Sequence, residues 1–289
     1  MTALSLGQQN RLRKLYRDPR PLERIQVHYD LERRLADRLR ESDVEARKVL
    51  YGELYDELFS SLPDHPQHFR RESDQLSNVR NQLRLLKPLV RAGDVFVEVG
   101  AGDCQLSYLI APDVQRAIGV DVSDKVYDPT KAPENFDFVK SDGLTLGLEA
   151  ESADFVYSNQ LMEHLHVDDA KQQLIDIHRT LRPGGRYFCT TPNAISGPSD
   201  VSRYFDRTAT GFHMKEYRYR ELIDLFRAVG FKKFSVIISA AGRKLATVPP
   251  SLATPIEATL AMLPWPIRQR VARFKPVRIF LGIKLIAVK

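Results

Sequence analysis

From Asp94 onward, short apolar runs alternate with stretches of helical periodicity, and this alternation constrains the fold more than any other feature of the sequence. Five of the runs have the length and the branched or aromatic content of strands. Strands that alternate with helices are typical of a doubly wound α/β fold with a mostly parallel sheet. The predicted strands are 95–99, 117–121, 136–140, 153–158 and 186–191, and the helices between and after them lie at about 105–111, 168–181 and 217–229.

Residues 1–90 are predicted to form a helical extension in front of this sheet. Apolar residues recur there at spacings of three and four between many arginine and glutamate side chains, which is typical of helices with one solvated face. Ser42 is the expected N-cap of the second long helix, with Glu45 closing a capping box. We expect the extension to cover a ligand pocket or to form a homodimer contact.

Residues 91–289 are predicted to form the second domain. Two late apolar runs, 234–239 and 279–288, predict closing strands, which bring the expected sheet to about seven strands. A basic insertion at about 245–278 separates these two runs.

The net charge of +6 is unevenly distributed along the chain. Residues 95–235 carry 16 basic and 21 acidic side chains, whereas residues 236–289 carry nine basic and one acidic. The positive excess is therefore mainly a property of the C-terminal segment. Trp265 and several aliphatic residues alternate there with the cations, which suits contact with an anionic membrane surface. The alternative is a covering helix whose basic face is solvated.

The sequence excludes several classes of protein. No run of 18 apolar residues occurs, which excludes a transmembrane helix. Cys104 and Cys189 are too few for a disulfide framework or a cysteine zinc site. The first residues lack an apolar segment of signal-peptide length. We therefore expect a cytoplasmic protein.

Gly100 and Gly102 directly follow the first predicted strand, where glycines allow a nucleotide-like ligand to approach the backbone. Gln105 occupies the position of the third glycine in the dinucleotide fingerprint, which disfavours NAD or FAD. Asp121 ends the second strand, where a carboxylate can accept two hydrogen bonds from a ribose diol. Asp142 follows the third strand at the same edge of the predicted sheet.

In this order and spacing, these residues resemble the class I S-adenosylmethionine-dependent methyltransferase family. The resemblance covers about 95–235 and includes 98–102, Asp121, 141–143, 155–165 and 181–185. It implies a Rossmann-like class I methyltransferase sandwich and S-adenosylmethionine as the cofactor. The cofactor-binding residues that it implies are Glu98, Gly100, Ala101, Gly102, Asp121, Val122, Asp142, Gly143 and Asn159.

The family resemblance also implies roles for some of these residues. Gly100 and Gly102 are expected to pass close to the methionine moiety, Asp121 to bind the ribose hydroxyls, and Asp142 to contact the adenine amino group. Glu98 lies in an otherwise apolar strand. It should therefore accept hydrogen bonds or meet a cation, because an unpartnered buried carboxylate is costly.

The implied reaction is methyl transfer to a small molecule, with a hydroxyl, including that of a sugar or glycan intermediate, as the expected acceptor. A hydroxyl acceptor benefits from a general base. His164 lies just after the fourth strand, and His213 lies in the long loop before the helix near 217, so both are predicted catalytic residues, with a structural role as the alternative for each. No metal is expected, because Gln160 stands where a metal-holding branch of the family has a glutamate, and a hard cation needs several anionic oxygens.

Two alternatives for the acceptor remain. The basic and apolar C-terminal segment is also compatible with a lipid or quinone methyltransferase at a membrane surface. A nucleic-acid methyltransferase is disfavoured, because residues 158–161 lack the Asn/Asp-Pro-Pro-aromatic motif typical of enzymes that methylate base nitrogens.

Overall fold

The computed structural model describes residues 4–66, 72–125 and 127–289, and its centre is a mixed sheet flanked by helices. The strands are β1 (Val95–Val99), β2 (Arg116–Asp121), β3 (Phe136–Lys140), β4 (Ala153–Asn159), β5 (Leu181–Thr191), β6 (Lys233–Ala240), β7 (Arg243–Val248) and β8 (Ile283–Val288). The α-helices are α1 (Leu6–Tyr16), α2 (Leu22–Glu41), α3 (Val44–Ser61), α4 (Glu72–Leu86), α5 (Gln105–Ile110), α6 (Val167–Thr180), α7 (Tyr219–Ala228), α8 (Pro250–Ala261), α9 (Trp265–Ala272) and α10 (Lys275–Leu281).

The sheet has the strand order β3-β2-β1-β4-β5-β8-β6-β7. The first five strands pair in parallel, whereas β8 is antiparallel to both β5 and β6. The predicted doubly wound α/β fold is confirmed. Because β1 to β5 are parallel, their carboxyl ends meet at one edge, where such sheets bind ligands.

The described part of the sheet has eight strands rather than about seven, because β7 was not predicted. This strand pairs only along β6 at the edge of the sheet, and five of its six residues are exposed. It therefore lacks the apolar face by which a buried strand is recognised. The last predicted strand was also too long at its start, since α10 extends to Leu281 and β8 begins at Ile283.

The predicted capping box at Ser42 is wrong. Ser42 ends α2, and its hydroxyl donates a hydrogen bond to the carbonyl oxygen of Arg38. The N-cap of α3 is Asp43, whose carboxylate accepts a hydrogen bond from the backbone N–H of Ala46 at 2.9 Å. Asp and Ser are similarly good N-caps, so neighbouring candidates are not separated by propensity alone.

The N-terminal extension contributes to the hydrophobic core on both faces of the sheet. Leu35 of α2 and Leu54 of α3 are fully buried in the same cluster as Val97 of β1. Leu86 of α4 is buried on the opposite face together with Phe96. A buried ion pair also joins α3 to α6, as described below.

The basic segment at the C-terminus forms α8, α9 and α10 between β7 and β8. Glu257 of α8 is buried and accepts hydrogen bonds from the Asn193 side chain at 2.7 Å and from the Tyr219 backbone N–H at 2.9 Å. Met262 and Phe274 remain 85% and 66% exposed. The segment thus packs as covering helices, while contact of its outer face with an anionic membrane stays a prediction, as does a homodimer contact.

Within the described residues, no helix has the length and apolar content needed to cross a membrane.

Arg47 of α3 makes a two-pronged ion pair with Asp169 of α6, with both N–O distances 2.7 Å. Both side chains are buried, and Tyr51 donates a further hydrogen bond to the same carboxylate at 2.7 Å. Removing one member of a buried pair leaves the other charge without compensation. We expect Arg47→Ala to lower the free energy of unfolding by about 3–5 kcal/mol in denaturant titrations.

The matched control is the next residue, Lys48, whose ion pair with Glu45 is solvent-exposed. Lys48→Ala should leave the free energy of unfolding close to that of the native chain, because exposed ion pairs contribute little to stability. Equal effects of the two substitutions would contradict an anchoring role for the Arg47–Asp169 pair.

Candidate functional site

The turn after β1 leaves its backbone open to a ligand. Gly100 and Gly102 both have a positive φ, of 76° and 55°, which is unfavourable for residues with a Cβ. A Cβ at Gly102 would meet no atom within 4 Å. The main chain of this turn therefore borders open space that a ligand can enter.

Asp121 connects the end of β2 to the glycine turn. Its Oδ2 accepts a hydrogen bond from the Gly102 N–H at 2.8 Å, and its Oδ1 accepts one from the Ser123 N–H at 3.0 Å. A carboxylate has about four acceptor positions, so the side chain can accept further hydrogen bonds. The predicted ribose-binding residue thus lies beside the predicted glycine turn.

Asp142 and Gly143 follow β3 at the same edge. Oδ1 of Asp142 accepts hydrogen bonds from the N–H groups of Leu144 at 2.9 Å and Thr145 at 2.7 Å. Burial raises the pKa of Asp142, but these hydrogen bonds outweigh burial and hold it below its usual value. A Cβ on Gly143 would lie 3.1 Å from the ring of Tyr51, so α3 closes over this part of the edge.

The side chain of Glu98 has a hydrogen-bond partner within the protein. It accepts a hydrogen bond of 2.5 Å from the hydroxyl of Ser107 in α5. Burial raises the pKa of Glu98 to about 8. A hydroxyl group, rather than a cation, therefore meets the need of this buried group for a partner.

The other predicted cofactor residues lie around the same edge. Ala101 is buried within the glycine turn, and Val122 packs against the main core. Asn159 ends β4, and its Oδ1 accepts a hydrogen bond from the hydroxyl of Thr190. The structure therefore groups the predicted residues at the carboxyl ends of β1 to β4, and their roles toward a cofactor stay predictions.

A cavity of about 960 Å³ adjoins this edge, and we call it the polar cavity. Asn159 and Gln160, at the end of β4, lie in its wall. The N-terminal extension and the loop 199–213 supply much of the remaining wall. The charged and imidazole side chains of its lining include Arg20, His28, Glu32, Glu163, His164, Asp200 and His213.

The two predicted catalytic histidines lie together in the polar cavity. The rings of His164 and His213 are nearly perpendicular, with centroids 4.7 Å apart. Nδ1 of His164 donates a hydrogen bond to the carbonyl oxygen of Phe212 at 3.0 Å, and burial lowers the pKa of this histidine to about 3. Its imidazole is therefore neutral at physiological pH.

His213 has the opposite electrostatic surroundings. Its Nδ1 lies 2.8 Å from Oε1 of Glu216. Burial would lower the pKa of His213, but the hydrogen bond to Glu216 and the charges of Asp200 and Glu163 raise it above the usual value. Asp200 is itself buried and accepts a hydrogen bond from the N–H of Gly211 at 3.0 Å.

Glu163 was not among the predicted site residues, although it precedes His164. It is fully buried, and its Oε2 accepts a hydrogen bond from the hydroxyl of Thr191 at 2.8 Å. Its Oε1 has no hydrogen-bond partner among the described residues. Burial raises the pKa of Glu163 to about 7.

A second acid–histidine pair comes from α2 and was not predicted. His28 donates from Nε2 to Oε1 of Glu32 at 2.8 Å and accepts at Nδ1 from Arg20 at 3.0 Å. Oε2 of Glu32 accepts the N–H of Phe212 at 3.0 Å. Burial raises the pKa of Glu32, but the contacts with His28 outweigh it and hold the pKa below its usual value. The sequence feature that could have indicated this pair is the i,i+4 spacing of His28 and Glu32, which places both side chains on the same face of a helix.

Comparison with known proteins connects this geometry to a class of enzymes. Residues 97–189 match the family model described as a methyltransferase domain. A probable S-adenosylmethionine-dependent methyltransferase of Mycolicibacterium smegmatis is 32% identical over 142 residues, which are 49% of this chain and 53% of that protein. Phosphoethanolamine N-methyltransferase 1 of Caenorhabditis elegans is 25% identical over 200 residues, which are 65% of this chain and 41% of that protein. The chain spans about half the length of the curated relatives it matches.

A solved structure shows the same fold. It is phosphoethanolamine N-methyltransferase 1 of Haemonchus contortus in complex with phosphoethanolamine and S-adenosylhomocysteine. The TM-score is 0.54 at 16% identity, and the match covers 86% of this chain and 50% of that chain.

The raised pKa of Glu98 predicts a pH-dependent stability. The folded protein keeps the Glu98 proton up to about pH 8. The unfolded chain loses it near the usual value of 4.5, so the stability contributed by this group falls as pH rises through that interval. The side chain in Glu98→Gln stays neutral at every pH. As the pH rises from 4.5 to 8, the free energy of unfolding of this variant should therefore increase by roughly 2–4 kcal/mol relative to that of the native chain, as measured by denaturant titrations across that range.

The exposed substitution Glu134→Gln serves as the control and should follow the native pH profile. A difference between Glu98→Gln and the native chain that stays constant with pH would contradict a protonated Glu98.

Proposed function

We propose that this chain, which belongs to the class I S-adenosylmethionine-dependent methyltransferases, transfers a methyl group from that cofactor to a hydroxyl of a small molecule bound in the polar cavity. The single observation that best supports the acceptor class is the position of this cavity. It adjoins the strand ends that carry the predicted cofactor residues, and it contains a buried cluster of histidines and carboxylates.

The cofactor end of the site fits S-adenosylmethionine. The open space at Gly102 admits a ligand against the backbone, and the carboxylate of Asp121 can accept two ribose hydroxyls. Asp142 is assigned to the adenine amino group, since its carboxylate is fixed by the turn that follows β3. When bound, the cofactor supplies a methyl group on a positively charged sulfur that is already activated for displacement.

The size and lining of the polar cavity favour a small acceptor. Sites for small molecules commonly occupy about 300–1,000 Å³, and the volume of about 960 Å³ lies in that range. Its mixed acidic, cationic and aromatic lining suits a polar molecule with several hydrogen-bonding groups. The task of the chain is to align this acceptor and exclude water, which can lower the barrier by roughly 7–11 kcal/mol.

A hydroxyl acceptor is favoured over an amine by the cluster of Glu163, His164 and His213. A hydroxyl must lose its proton during methyl transfer, and groups placed to assist that loss contribute about 100- to 10,000-fold. We assign His164 and His213 to activation of the acceptor. The alternatives are an amine, because a curated relative is named as a phosphoethanolamine N-methyltransferase, and a lipid or quinone at a membrane surface.

The cofactor assignment is tested by calorimetric titration with S-adenosylhomocysteine. Hydrogen bonds to a charged group contribute about 1.5–3 kcal/mol each, so Asp121→Ala, which removes the acceptor of two such bonds, should weaken binding by about 100-fold or more. Asp124→Ala is the matched control, since Asp124 lies three residues later in an exposed ion pair with Lys140. No heat with the native chain, or equal affinity in both variants, would contradict the assignment.

The acceptor assignment is tested with S-adenosylmethionine carrying an isotope-labelled methyl group. Sugars, phenols, quinols and phosphoethanolamine are offered as acceptors, and the labelled product is identified as an ether or an amine. We expect an ether. His164→Ala and His213→Ala should each lower kcat by about 100-fold or more.

Both histidine variants should bind S-adenosylhomocysteine within about twofold of the native chain. The control is His178→Ala, because His178 packs against Phe231 away from the polar cavity. Native rates in both histidine variants would contradict a catalytic role for these residues. An N-methyl product would show that the acceptor group is an amine and not a hydroxyl.

A further inference from the structure

We propose that Glu163, His164 and His213 bind a divalent transition-metal cation in the polar cavity. Each of the three side chains offers one ligand atom, and these atoms lie within 4.8 Å of one another. Two imidazoles and one carboxylate, with the remaining coordination positions open, are a donor set that binds divalent first-row metals.

The hydrogen bonds of the two histidines leave a lone pair on each ring. Nδ1 of His164 must carry a proton, because its neighbour at 3.0 Å is the carbonyl oxygen of Phe212. Nδ1 of His213 likewise faces a carboxylate oxygen of Glu216 at 2.8 Å. The nitrogen available to a cation is therefore Nε2 in both residues.

These hydrogen bonds are also the kind that supports a metal ligand. A histidine that binds a metal usually donates its other N–H to a carbonyl or carboxylate oxygen, which fixes the tautomer and the ring orientation. His164 has the carbonyl partner and His213 has the carboxylate partner. Glu163 is also held in place, because its Oε2 accepts a hydrogen bond from the hydroxyl of Thr191.

The second oxygen of Glu163 gives an independent indication of a missing partner. Oε1 is buried and has no hydrogen-bond partner within the described residues. A buried polar atom without a partner is unfavourable, and more so if the group is charged, because it has lost its hydrogen bonds to water. A cation held by the two neighbouring histidines would supply that partner.

The other acid–histidine cluster of the cavity, around His28 and Glu32, has no such unpartnered ligand atom on these two residues. Both ring nitrogens of His28 are engaged, by Arg20 and by Glu32. Both oxygens of Glu32 also accept hydrogen bonds, from His28 and from the Phe212 N–H. His28 and Glu32 are therefore satisfied without a cation, although they lie close enough to His65 for ligation.

The donor set favours a transition metal over magnesium or calcium. Imidazole nitrogen suits zinc, iron, cobalt and nickel, whereas magnesium and calcium prefer oxygen ligands. The open coordination positions would bind oxygen atoms of the acceptor. This role of the cation toward the acceptor rests on the proposed function. The cation site itself does not depend on methyl transfer.

The test uses the full chain after dialysis against a chelator, titrated with Co²⁺ alone and followed by visible absorption and calorimetry. We expect one Co²⁺ per chain, with absorption bands that report nitrogen coordination. Glu163→Gln preserves shape and removes the anionic ligand, and it should weaken Co²⁺ binding by about 100-fold, as should His213→Ala.

His28→Gln is the matched control from the neighbouring cluster and should leave Co²⁺ affinity within about twofold. Binding of S-adenosylhomocysteine by each variant reports whether its fold is intact. Absence of specific Co²⁺ binding by the native chain would overturn the proposal, as would loss of binding in His28→Gln with native affinity in Glu163→Gln.

The same preparation separates the cation site from the proposed reaction. Stoichiometric Co²⁺ binding without methyl transfer to any acceptor would support the site and contradict the proposed function. Methyl transfer that persists in excess chelator would overturn the role of the cation toward the acceptor.

Discussion

The peptide group of Phe212 joins three distant parts of the chain. Its N–H donates to Glu32 of α2 at 3.0 Å, and its carbonyl oxygen accepts the Nδ1 proton of His164 at 3.0 Å. An unmade hydrogen bond in such a buried place costs about 1–3 kcal/mol. The position of the loop 199–213 against the end of β4, and hence the shape of the polar cavity, depends on a glutamate in the N-terminal extension.

Gly211 makes this arrangement sterically possible. A Cβ there would lie 2.5 Å from Oε2 of Glu32 and 2.8 Å from Oδ2 of Asp200. Its N–H donates to Asp200, so two buried carboxylates approach one stretch of backbone from different sides. A side chain at 211 would therefore displace the ends of these two carboxylates, which accept hydrogen bonds from the backbone of the loop.

The parts of the site that could be predicted are those set by the sheet. Asp121 and Asp142 follow neighbouring parallel strands, and parallel strands bring their carboxyl ends to one edge, so their proximity followed from strand prediction alone. The bounds of β1 and β3 were predicted correctly, because both are short segments rich in branched or aromatic residues. The exposed edge strand β7 has no such run, and its formation depends on the pairing partner offered by β6.

The polar cavity could not be predicted, because the residues that line it are distant in the sequence and are brought together only by tertiary packing. His164 and His213 were identified by residue type and by their position after strands, which is information carried by the local sequence. The contribution of α2 could not be identified in this way. Nothing in the local sequence distinguishes the helix face with His28 and Glu32 until the loop that packs against it is known. The buried Arg47–Asp169 pair, which sets α3 against α6, is equally non-local.

The expectation that no metal binds was based on counting acidic residues within one short motif. Gln160 indeed removes a carboxylate from that motif, but the folded chain adds His213 from a loop about 50 residues later. Glu163, Asp200 and the two imidazoles line the polar cavity, and the carboxylate of Glu216 lies next to His213, 2.8 Å from its Nδ1. Oε1 of Glu163 is buried without a hydrogen-bond partner among the described residues, and the ligand atoms of Glu163, His164 and His213 lie within 4.8 Å of one another. The unpartnered oxygen and the two imidazoles therefore favour the same position for a divalent cation.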